Sequence, residues 1–177
     1  MLKIKLKISP WMSSSEIEII LKYLKKDYVM LEYGCGGSTN LFPNYVKSYY
    51  SIEHNLSWFN KVNSNKRSNV NIFHVERNAV TSNRIPSLDR KSRYNDFYDY
   101  VHYPEKLGIK FDAVLIDGRA RPECARFIKP YLNNGAYIFI HDYWKRKPYH
   151  VVKGMYKLID SVKSGQSIAV FKHDQSF

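Results

Sequence analysis

A glycine-rich turn, followed one strand later by an acid, is the feature of this sequence that most directly predicts chemistry. Glu32, Gly34 and Gly36 end a short apolar run, and residues without a Cβ let the backbone approach a ligand closely. Taken alone, such a turn is equally consistent with a purely structural connection. Glu53 falls 19 residues after Gly34, at the end of the next predicted strand, where an acid can accept both hydroxyls of a ribose. The two features together predict a nucleoside site.

The same turn departs from the pattern of a dinucleotide-binding protein. A nicotinamide dinucleotide site would share the ribose acid, but its G-x-G-x-x-G pattern needs a third glycine, and Thr39 stands at that position. A nucleoside that lacks a pyrophosphate needs less from the helix N-terminus that follows the turn. The pattern therefore argues against a dehydrogenase and favours S-adenosylmethionine over NAD.

Polar residues also follow two later apolar runs. Asp117 ends the buried strand pattern over 111–117, and His141 and Asp142 follow the run 136–140. The carboxyl ends of parallel strands line the ligand cleft in open α/β sheets, so these side chains are expected near the nucleoside site. The ordinary pKa of an imidazole suits His141 to general base catalysis, although a histidine that only caps a strand end would give the same pattern.

Alternating strand and helix patterns must position these groups, and they predict an α/β fold with a mostly parallel sheet and helices on both faces. Ser13 and Glu16 have the spacing of a capping box ahead of a helix over 13–26. The final runs 155–162 and 167–172 indicate an antiparallel hairpin. Further strands are predicted over 28–33, 49–53, 70–75, 111–117 and 136–140, and further helices from residue 38, over 56–62 and over 122–132.

Residues 77–110 interrupt this rhythm. They are polar and rich in aromatic residues, without a clear helix or strand period. Long connections of this kind are usually functional lids or disordered inserts. No internal repeat or domain boundary is visible, so a single domain over 1–177 with a lid on its substrate side is expected.

The charge balance predicts an anionic partner. The 177 residues include 28 lysines and arginines against 16 aspartates and glutamates, a net charge of +12, which attracts nucleic acid, phosphorylated substrates or anionic membranes. These residues are spread along the chain, and solubility alone explains them equally well. Cys35 and Cys124 form no metal or disulfide pattern. No run resembles a signal peptide or reaches the length of a membrane span, so a cytoplasmic location is expected.

The glycine turn, the ribose acid and the final hairpin together resemble the class I S-adenosylmethionine-dependent methyltransferases. The E/D-x-G-x-G motif of that family matches Glu32 to Gly36, and its ribose acid matches Glu53. The resemblance spans nearly the whole chain and implies a Rossmann-like fold with a seven-stranded sheet. It implies that the first acid and the glycines hold the methionine part of the cofactor. It adds Ser38 and, beside the adenine, Arg77 to the expected cofactor-binding residues.

Two shorter runs narrow the resemblance. Residues 116–119, Ile-Asp-Gly-Arg, and 141–143, His-Asp-Tyr, are similar to small sugar O-methyltransferases, including domains attached to glycosyltransferases in large DNA viruses. This resemblance implies methyl transfer to a saccharide hydroxyl, in a free sugar, a nucleotide-linked sugar or a glycan. It also raises the expectation that the chain belongs to a larger glycosylation enzyme.

A sugar hydroxyl is a poor nucleophile at neutral pH, so its methylation is helped by a base that removes the proton. His141 is the expected base, with Asp117 or Asp142 orienting or replacing it. Metal-dependent relatives hold a divalent cation, Mg²⁺ or Mn²⁺, between carboxylates at both strand ends, and here Asp117 and Asp142 are the candidate ligands. Arg119 and His141 stand where further acidic or amide ligands would be expected, so the sequence leaves metal dependence open.

Substrate contacts are expected from residues around this cleft. Arg119 and Arg121 open the helix after the fourth strand, and their donors suit phosphate or sugar oxygens, although solvated surface charges are an equal alternative. Tyr98 and Tyr100 from the long connection, and Tyr143 after the fifth strand, are predicted to contact the sugar. The tyrosines of the connection could equally anchor it.

Two functions of other kinds fit the same sequence. The positive charge and the many aromatic residues suit an RNA methyltransferase, but the N-P-P-Y or D-P-P-Y run of base N-methyltransferases does not follow the fourth strand. A non-catalytic module that keeps the fold and holds RNA or a protein on its basic surface is the third hypothesis. Cofactor binding separates this module from both enzymes.

Overall fold

The structure, a computed structural model, describes residues 9–78 and 94–174, and within these ranges it contains a seven-stranded sheet with helices on both faces. The strands are β1 Val29–Tyr33, β2 Ser48–Glu53, β3 Val70–His74, β4 Phe111–Ile116, β5 Leu132–His141, β6 Lys157–Val162 and β7 Ile168–Lys172. The α-helices are α1 Ser14–Tyr23, α2 Ser38–Leu41, α3 Leu56–Asn63, α4 Tyr98–His102 and α5 Arg121–Phe127. Short 3₁₀ helices cover Phe42–Tyr45, Tyr103–Leu107, Lys129–Tyr131 and Lys147–Gly154. None of the helices in the described ranges is long and apolar enough to cross a membrane.

The strand order β3-β2-β1-β4-β5-β7-β6 confirms the predicted fold class, a mostly parallel sheet with a C-terminal antiparallel hairpin. The first five strands run parallel, and β7 enters antiparallel between β5 and β6. The order reverses between β1 and β4, because the chain builds β2 and β3 on one side of β1 and then β4 on the other. Such a switch point opens a crevice at the carboxyl ends of the strands.

Side chains alternate across the sheet and fill a core on each face. In β1, Met30 belongs to the core beneath α1 and α3, whereas Leu31 and Tyr33 belong to the core beneath α4 and α5. All three side chains are fully buried. Near-continuous burial of this kind is expected for a parallel strand that is covered on both faces.

The predicted capping box begins α1 and also ties it to the C-terminal hairpin. The Ser13 Oγ accepts the backbone N–H of Glu16 at 3.4 Å, and the backbone N–H of Ser13 donates to Glu16 Oε2 at 2.7 Å. Glu16 Oε1 accepts the backbone N–H of Ser167, whose φ of 77° lies in the left-handed region. The fully buried carboxylate of Glu16 therefore accepts hydrogen bonds both from the N-terminus of α1 and from the turn of the hairpin.

Two helices end earlier than the sequence predicts. α1 ends at Tyr23, because Leu24 takes an extended conformation with ψ of 147°. α5 ends at Phe127, and a 3₁₀ turn then leads into β5 at Leu132. Pro130 lies in that turn, and a proline has no N–H to continue an α-helical ladder. The fifth strand therefore starts earlier than the predicted 136.

The predicted connection over 77–110 is only partly a surface feature. Residues 79–93 lie outside the described residues, so the expectation of a lid over them stays a prediction. Phe97, Tyr100 and Val101 are buried against the sheet on the α4 and α5 side. The described part of the connection that contains α4 is therefore a packed layer.

Substitution of Glu16 tests the link between α1 and the hairpin. Glu16→Ala removes the acceptor of two backbone N–H groups and leaves the buried N–H of Ser167 unpaired. We expect the free energy of unfolding to fall by about 2–4 kcal/mol, from the lost cap and the unpaired donor together. Glu18→Ala removes a carboxylate from the exposed face of α1 and should change it by less than about 0.5 kcal/mol. Urea unfolding measures both, and equal losses would contradict the buried link.

Candidate functional site

A cavity of about 730 Å³ opens at the carboxyl edge of the sheet. Its walls are the turns that follow β1, β2, β4 and β5, together with residues 9–12 ahead of α1. The volume lies within the range of small-molecule sites, about 300–1,000 Å³. The predicted site residues that line it are Glu32, Gly34, Gly36, Ser38, Glu53, Asp117, Arg119, Arg121, His141 and Asp142.

Two glycines face each other where β1 and β4 end. Gly34 has a φ of 97°, which favours glycine, and a Cβ at this residue would lie 3.1 Å from the backbone of Gly118. A Cβ on Gly118 would lie 2.0 Å from the hydroxyl oxygen of Tyr100. The two turns approach each other only because both residues lack a side chain. The sequence motif predicted Gly34, whereas the role of Gly118 emerges only from the structure.

Glu32 is the buried acid of the first turn, and hydroxyl groups surround it. Its carboxylate accepts hydrogen bonds from Ser38 Oγ, from Thr39 Oγ1 at 2.6 Å and from Ser51 Oγ at 3.2 Å. Burial raises the pKa of Glu32 to about 7, although the hydrogen bonds from Ser38 and Thr39 oppose the shift. At 1% exposure, Glu32 holds the turn together. Its contact with a methionine group, like that of Ser38, stays a prediction.

Glu53 is an anionic acceptor at the end of β2. Its Oε2 accepts the backbone N–H of Cys35 at 2.9 Å, and its Oε1 accepts that of Asn55 at 2.7 Å. His54 Nδ1 lies 3.0 Å from Oε1. Burial alone would raise the pKa of Glu53, but hydrogen bonds from His54 and from the two backbone N–H groups outweigh burial and lower it. Backbone donors from the turns after β1 and β2 therefore fix both the charge and the orientation of this carboxylate.

Two tryptophans stand at the rim of the cavity. The indole N–H of Trp58, in α3, donates to the carbonyl of Cys35. Trp11, ahead of α1, is 79% exposed, and its ring centroid lies 6.3 Å from that of Trp58. The same segment covers the start of α2, because a Cβ on Gly37 would lie 2.0 Å from the carbonyl carbon of Ser9. The segment ahead of α1 therefore packs closely against Gly37, while Gly36, Gly37 and Ser38 still line the cavity.

A buried histidine links acids from separate elements. His141, which ends β5 and is 2% exposed, has its Nδ1 2.9 Å from Asp117 Oδ1. Its Nε2 lies 3.9 Å from Glu16 Oε1. Burial disfavours the charged imidazole, but the hydrogen bond to Asp117 and the charges of Asp117 and Asp142 outweigh burial and raise the pKa of His141. The Asp117 side chain is 28% exposed, so Asp117, rather than His141, is the member of the pair that a ligand can reach.

Arg121 joins the carboxylates that follow β4 and β5. Its Nη2 lies 3.3 Å from Asp117 Oδ1 and 3.2 Å from Asp142 Oδ2. Its Nε donates to the carbonyl of Gly118 at 2.9 Å, and its Nη1 donates to the carbonyl of His141. Arg121 is 8% exposed and each of its guanidinium nitrogens has a protein partner. It also lines the cavity, and its contact with a substrate stays a prediction.

Side chains that could bind a divalent cation lie together at the ends of β4 and β5, but Arg121 already balances the negative charge of their carboxylates. Ligand atoms of Asp117, His141 and Asp142 lie within 4.8 Å of one another, and carboxylate oxygens suit Mg²⁺ or Mn²⁺. However, Arg121 lies between the carboxylates, and His141 Nδ1 is engaged by Asp117. A cation would have to displace the guanidinium. The residues present therefore do not fit a resident divalent cation.

Two arginines leave donors on the rim of the cavity. Arg119 is exposed and lines the cavity, and its contact with a substrate stays a prediction. Half of the Arg146 side chain is exposed, and its Nη2 lies 3.6 Å from Asp142 Oδ2. Guanidinium groups present planar forks of donors that match phosphate and carboxylate oxygens. The cavity thus combines buried acids with cationic donors at its entrance.

Four residues that were predicted to contact ligands lie elsewhere. Tyr100 and Tyr143 are fully buried in the core, because their rings pack against other aromatic side chains, and they offer no surface to a sugar. Tyr98 stacks on His102 with 3.9 Å between ring centroids. Arg77 pairs with a nearby aspartate at 2.6 Å. Neither Tyr98 nor Arg77 is among the described residues that line the cavity.

Sequence reasoning missed several residues that line the cavity. Asn55 caps α3 by accepting the backbone N–H of Trp58 at 2.9 Å, and it lines the cavity beside Glu53. A signal was available, since asparagine directly before a helical run is a typical N-cap. Arg146 carried only the signal of its spacing, four residues after Asp142.

Comparison with known proteins supports the fold. No family model and no curated protein matches the sequence. The chain is similar to a methyltransferase-like protein from Silicibacter pomeroyi, at a TM-score of 0.73 and 24% identity over 95% of this chain and 89% of that chain. It is similar to a putative caffeoyl-CoA O-methyltransferase from Staphylococcus aureus, at a TM-score of 0.63 and 13% identity over 93% and 85%. A putative methyltransferase from Streptococcus mutans in complex with SAH matches at a TM-score of 0.58 and 12% identity over 91% and 99%. These similarities show the Rossmann-like fold of class I methyltransferases.

The raised pKa of Glu32 predicts a pH dependence of stability. The folded state holds this proton more tightly between the ordinary value of 4.5 and about 7, so stability falls as the pH rises through that window. The stabilising contribution is complete below the window and absent above it. Glu32→Gln removes this titration, so the difference in unfolding free energy between wild type and variant should change by about 3 kcal/mol across the window.

Urea unfolding at a series of pH values measures this difference. Glu105→Gln, which neutralises an exposed acid, is the matched control and should follow the wild type. If the wild type and Glu32→Gln show parallel pH profiles, Glu32 does not titrate in this window.

Proposed function

We propose that the protein is an S-adenosylmethionine-dependent methyltransferase that transfers a methyl group to a hydroxyl of a saccharide. The observation that carries the proposal is the ionised carboxylate of Glu53, anchored by backbone N–H groups at 2.9 and 2.7 Å. It lies beside the Gly34 turn on a cavity of about 730 Å³. An anionic acceptor next to an exposed backbone turn is the chemistry that recognises a ribose.

The residues on the nucleoside side fit this cofactor. Glu53 accepts the ribose hydroxyls, the backbone of the turn at Gly34 and Gly36 borders the methionine group, and Trp58 with Trp11 covers the exposed side. When bound, S-adenosylmethionine supplies an electrophilic methyl group on a sulfonium. The segment at Ser9 packs against Gly37 at the start of α2, which crowds the position of a pyrophosphate and disfavours NAD.

On the substrate side, Asp117 is the group that meets the acceptor hydroxyl. Its carboxylate is partly exposed and hydrogen-bonded to His141 at 2.9 Å. Asp117 orients the hydroxyl and takes up its proton as the methyl group moves. His141, which is buried, positions Asp117 and stabilises its charge. This assignment follows the predicted alternative in which Asp117 replaces His141 as the base.

A saccharide suits the rim of the cavity. Trp11 presents an exposed aromatic face, which offers amphipathic contact area, and Arg119 and Arg146 present donors for hydroxyl or phosphate oxygens. A sugar that carries a phosphate, as in a nucleotide-linked saccharide, would use both kinds of contact. The positive charge of the chain favours such an anionic substrate over a neutral one.

Substitution of Glu53 tests cofactor binding. Glu53→Gln keeps the shape but removes the charge, and a hydrogen bond to a charged group contributes about 1.5–3 kcal/mol, so affinity for S-adenosylhomocysteine should fall about 10–100-fold. Glu105→Gln, far along the chain and exposed, should leave it unchanged. Isothermal titration calorimetry measures both. If neither S-adenosylmethionine nor S-adenosylhomocysteine produces heat with the wild type, the chain is a binding module that only keeps the fold.

Substitution of Asp117 tests the transfer step. Asp117→Asn should lower turnover about 10²–10⁴-fold, while affinity for S-adenosylhomocysteine changes less than about threefold, well under one tenfold step of 1.4 kcal/mol. Asp27→Asn, the same change at an exposed acid, should leave both unchanged. The assay follows a labelled methyl group onto a panel of sugars, nucleotide-linked sugars and glycans, with bulk RNA in parallel. Preferred transfer to RNA, with binding that weakens steeply with salt, would replace the saccharide by RNA as the substrate.

A further inference from the structure

The cluster of Asp117, His141 and Asp142 at the ends of β4 and β5 has the composition of a metal site but contains an internal cation. We propose that Arg121 is a positioning residue whose guanidinium takes the place of a divalent metal between the two carboxylates. Removal of that guanidinium would then expose a latent site for a divalent cation. The catalytic meaning of this proposal rests on the proposed function, whereas the cation site itself does not.

The guanidinium of Arg121 bridges the ends of β4 and β5. One nitrogen, Nη2, lies 3.3 Å from Asp117 and 3.2 Å from Asp142. The other two nitrogens donate to the carbonyls of Gly118 and His141. Each nitrogen of Arg121 therefore has a partner at the end of β4 or β5. A rigid, planar group with five N–H donors can satisfy this set, whereas a lysine presents only a point charge.

The charges explain why a positive group is needed. The ligand oxygens of Asp117 and Asp142 belong to a cluster within 4.8 Å, and like charges at such distances repel strongly in a partly buried site. The side chains of Asp117 and Asp142 are only 28% and 22% exposed, so water screens them incompletely. Arg121 is 8% exposed and stays protonated at any physiological pH. It provides a permanent counter-charge that neither chelation nor loss to solvent can remove.

The arginine and a divalent cation exclude each other. Both would use the same carboxylate oxygens, and both are positive, so a bound metal would face an unscreened guanidinium. Arg146 adds a second positive group 3.6 Å from Asp142. With Arg121 in place, the two carboxylates pair with the guanidinium instead of a metal, and Asp117 stays hydrogen-bonded to His141. Asp117 then acts on a hydroxyl without a metal.

A cation titration tests the proposal with Mn²⁺ as the probe, followed by electron paramagnetic resonance of free Mn²⁺. The wild type, after treatment with a chelator, should show no saturable binding at concentrations on the order of 10⁻³ M, the weak end of carboxylate sites. Arg121→Met keeps the length of the side chain but removes the charge. It should bind one Mn²⁺ per chain with a dissociation constant at least about tenfold below 10⁻³ M.

Matched variants separate a true site from a general loss of positive charge. Arg119→Met removes an exposed arginine from the same cavity and should not create Mn²⁺ binding. Arg121→Met with Asp142→Asn should lose the site again. Arg121→Lys, which keeps the charge, should exclude Mn²⁺ as the wild type does. Circular dichroism and thermal unfolding establish that each variant is folded before its titration.

Mn²⁺ binding by the wild type that Asp142→Asn abolishes would overturn the proposal, and this measurement does not depend on the folding of Arg121→Met. A folded Arg121→Met that gains no Mn²⁺ site would also overturn it. If S-adenosylhomocysteine fails to bind while the Mn²⁺ pattern holds, the proposed methyl transfer fails and the assignment of Arg121 stands.

Discussion

The contact between the backbones of Gly34 and Gly118 is the constraint on which the whole site depends. It joins the turn after β1 to the turn after β4, at the point where the strand order reverses. The first turn fixes Glu53 through a backbone N–H, and Asp117 directly precedes Gly118. The absence of side chains at Gly34 and Gly118 therefore sets the spacing between Glu53 and Asp117 across the cavity. Tyr100 fills the space beneath Gly118, so the core also opposes any larger residue there.

Two glutamates one strand apart show how surroundings divide identical groups between structure and binding. Glu32 accepts hydrogen bonds from neutral hydroxyls inside the protein, and burial raises its pKa to about 7. Glu53 accepts two backbone N–H groups, and His54 Nδ1 lies 3.0 Å from its Oε1. These contacts lower the pKa of Glu53 despite burial. The second environment keeps a carboxylate ionised despite burial. The first favours the neutral form of a carboxyl group that lies inside the turn.

The sequence predicted the fold well because its signals are local. Strand and helix periods, the glycine turn and the capping box at Ser13 depend on residues close in the chain, and the structure confirms the resulting sheet. The site was predicted less completely. Tyr100 and Tyr143 are aromatic residues in polar runs, and only the packing of α4 and of the segment after β5 shows that they are buried. The partners of Arg121 come from two strand ends about twenty residues apart, so no local pattern reveals them.

The arginine also explains why a metal seemed plausible from sequence alone. The acids that follow β4 and β5 are each followed four residues later by an arginine, Arg121 after Asp117 and Arg146 after Asp142. A metal site and a set of ion pairs can therefore use the same two acids, Asp117 and Asp142. The two arrangements differ only in the positive group between the carboxylates, a metal in one and the guanidinium of Arg121 in the other. Balancing the partly buried acids with arginines has an additional effect. It keeps the local charge near neutral around Asp117 and Asp142, while Arg119 at the rim remains positive.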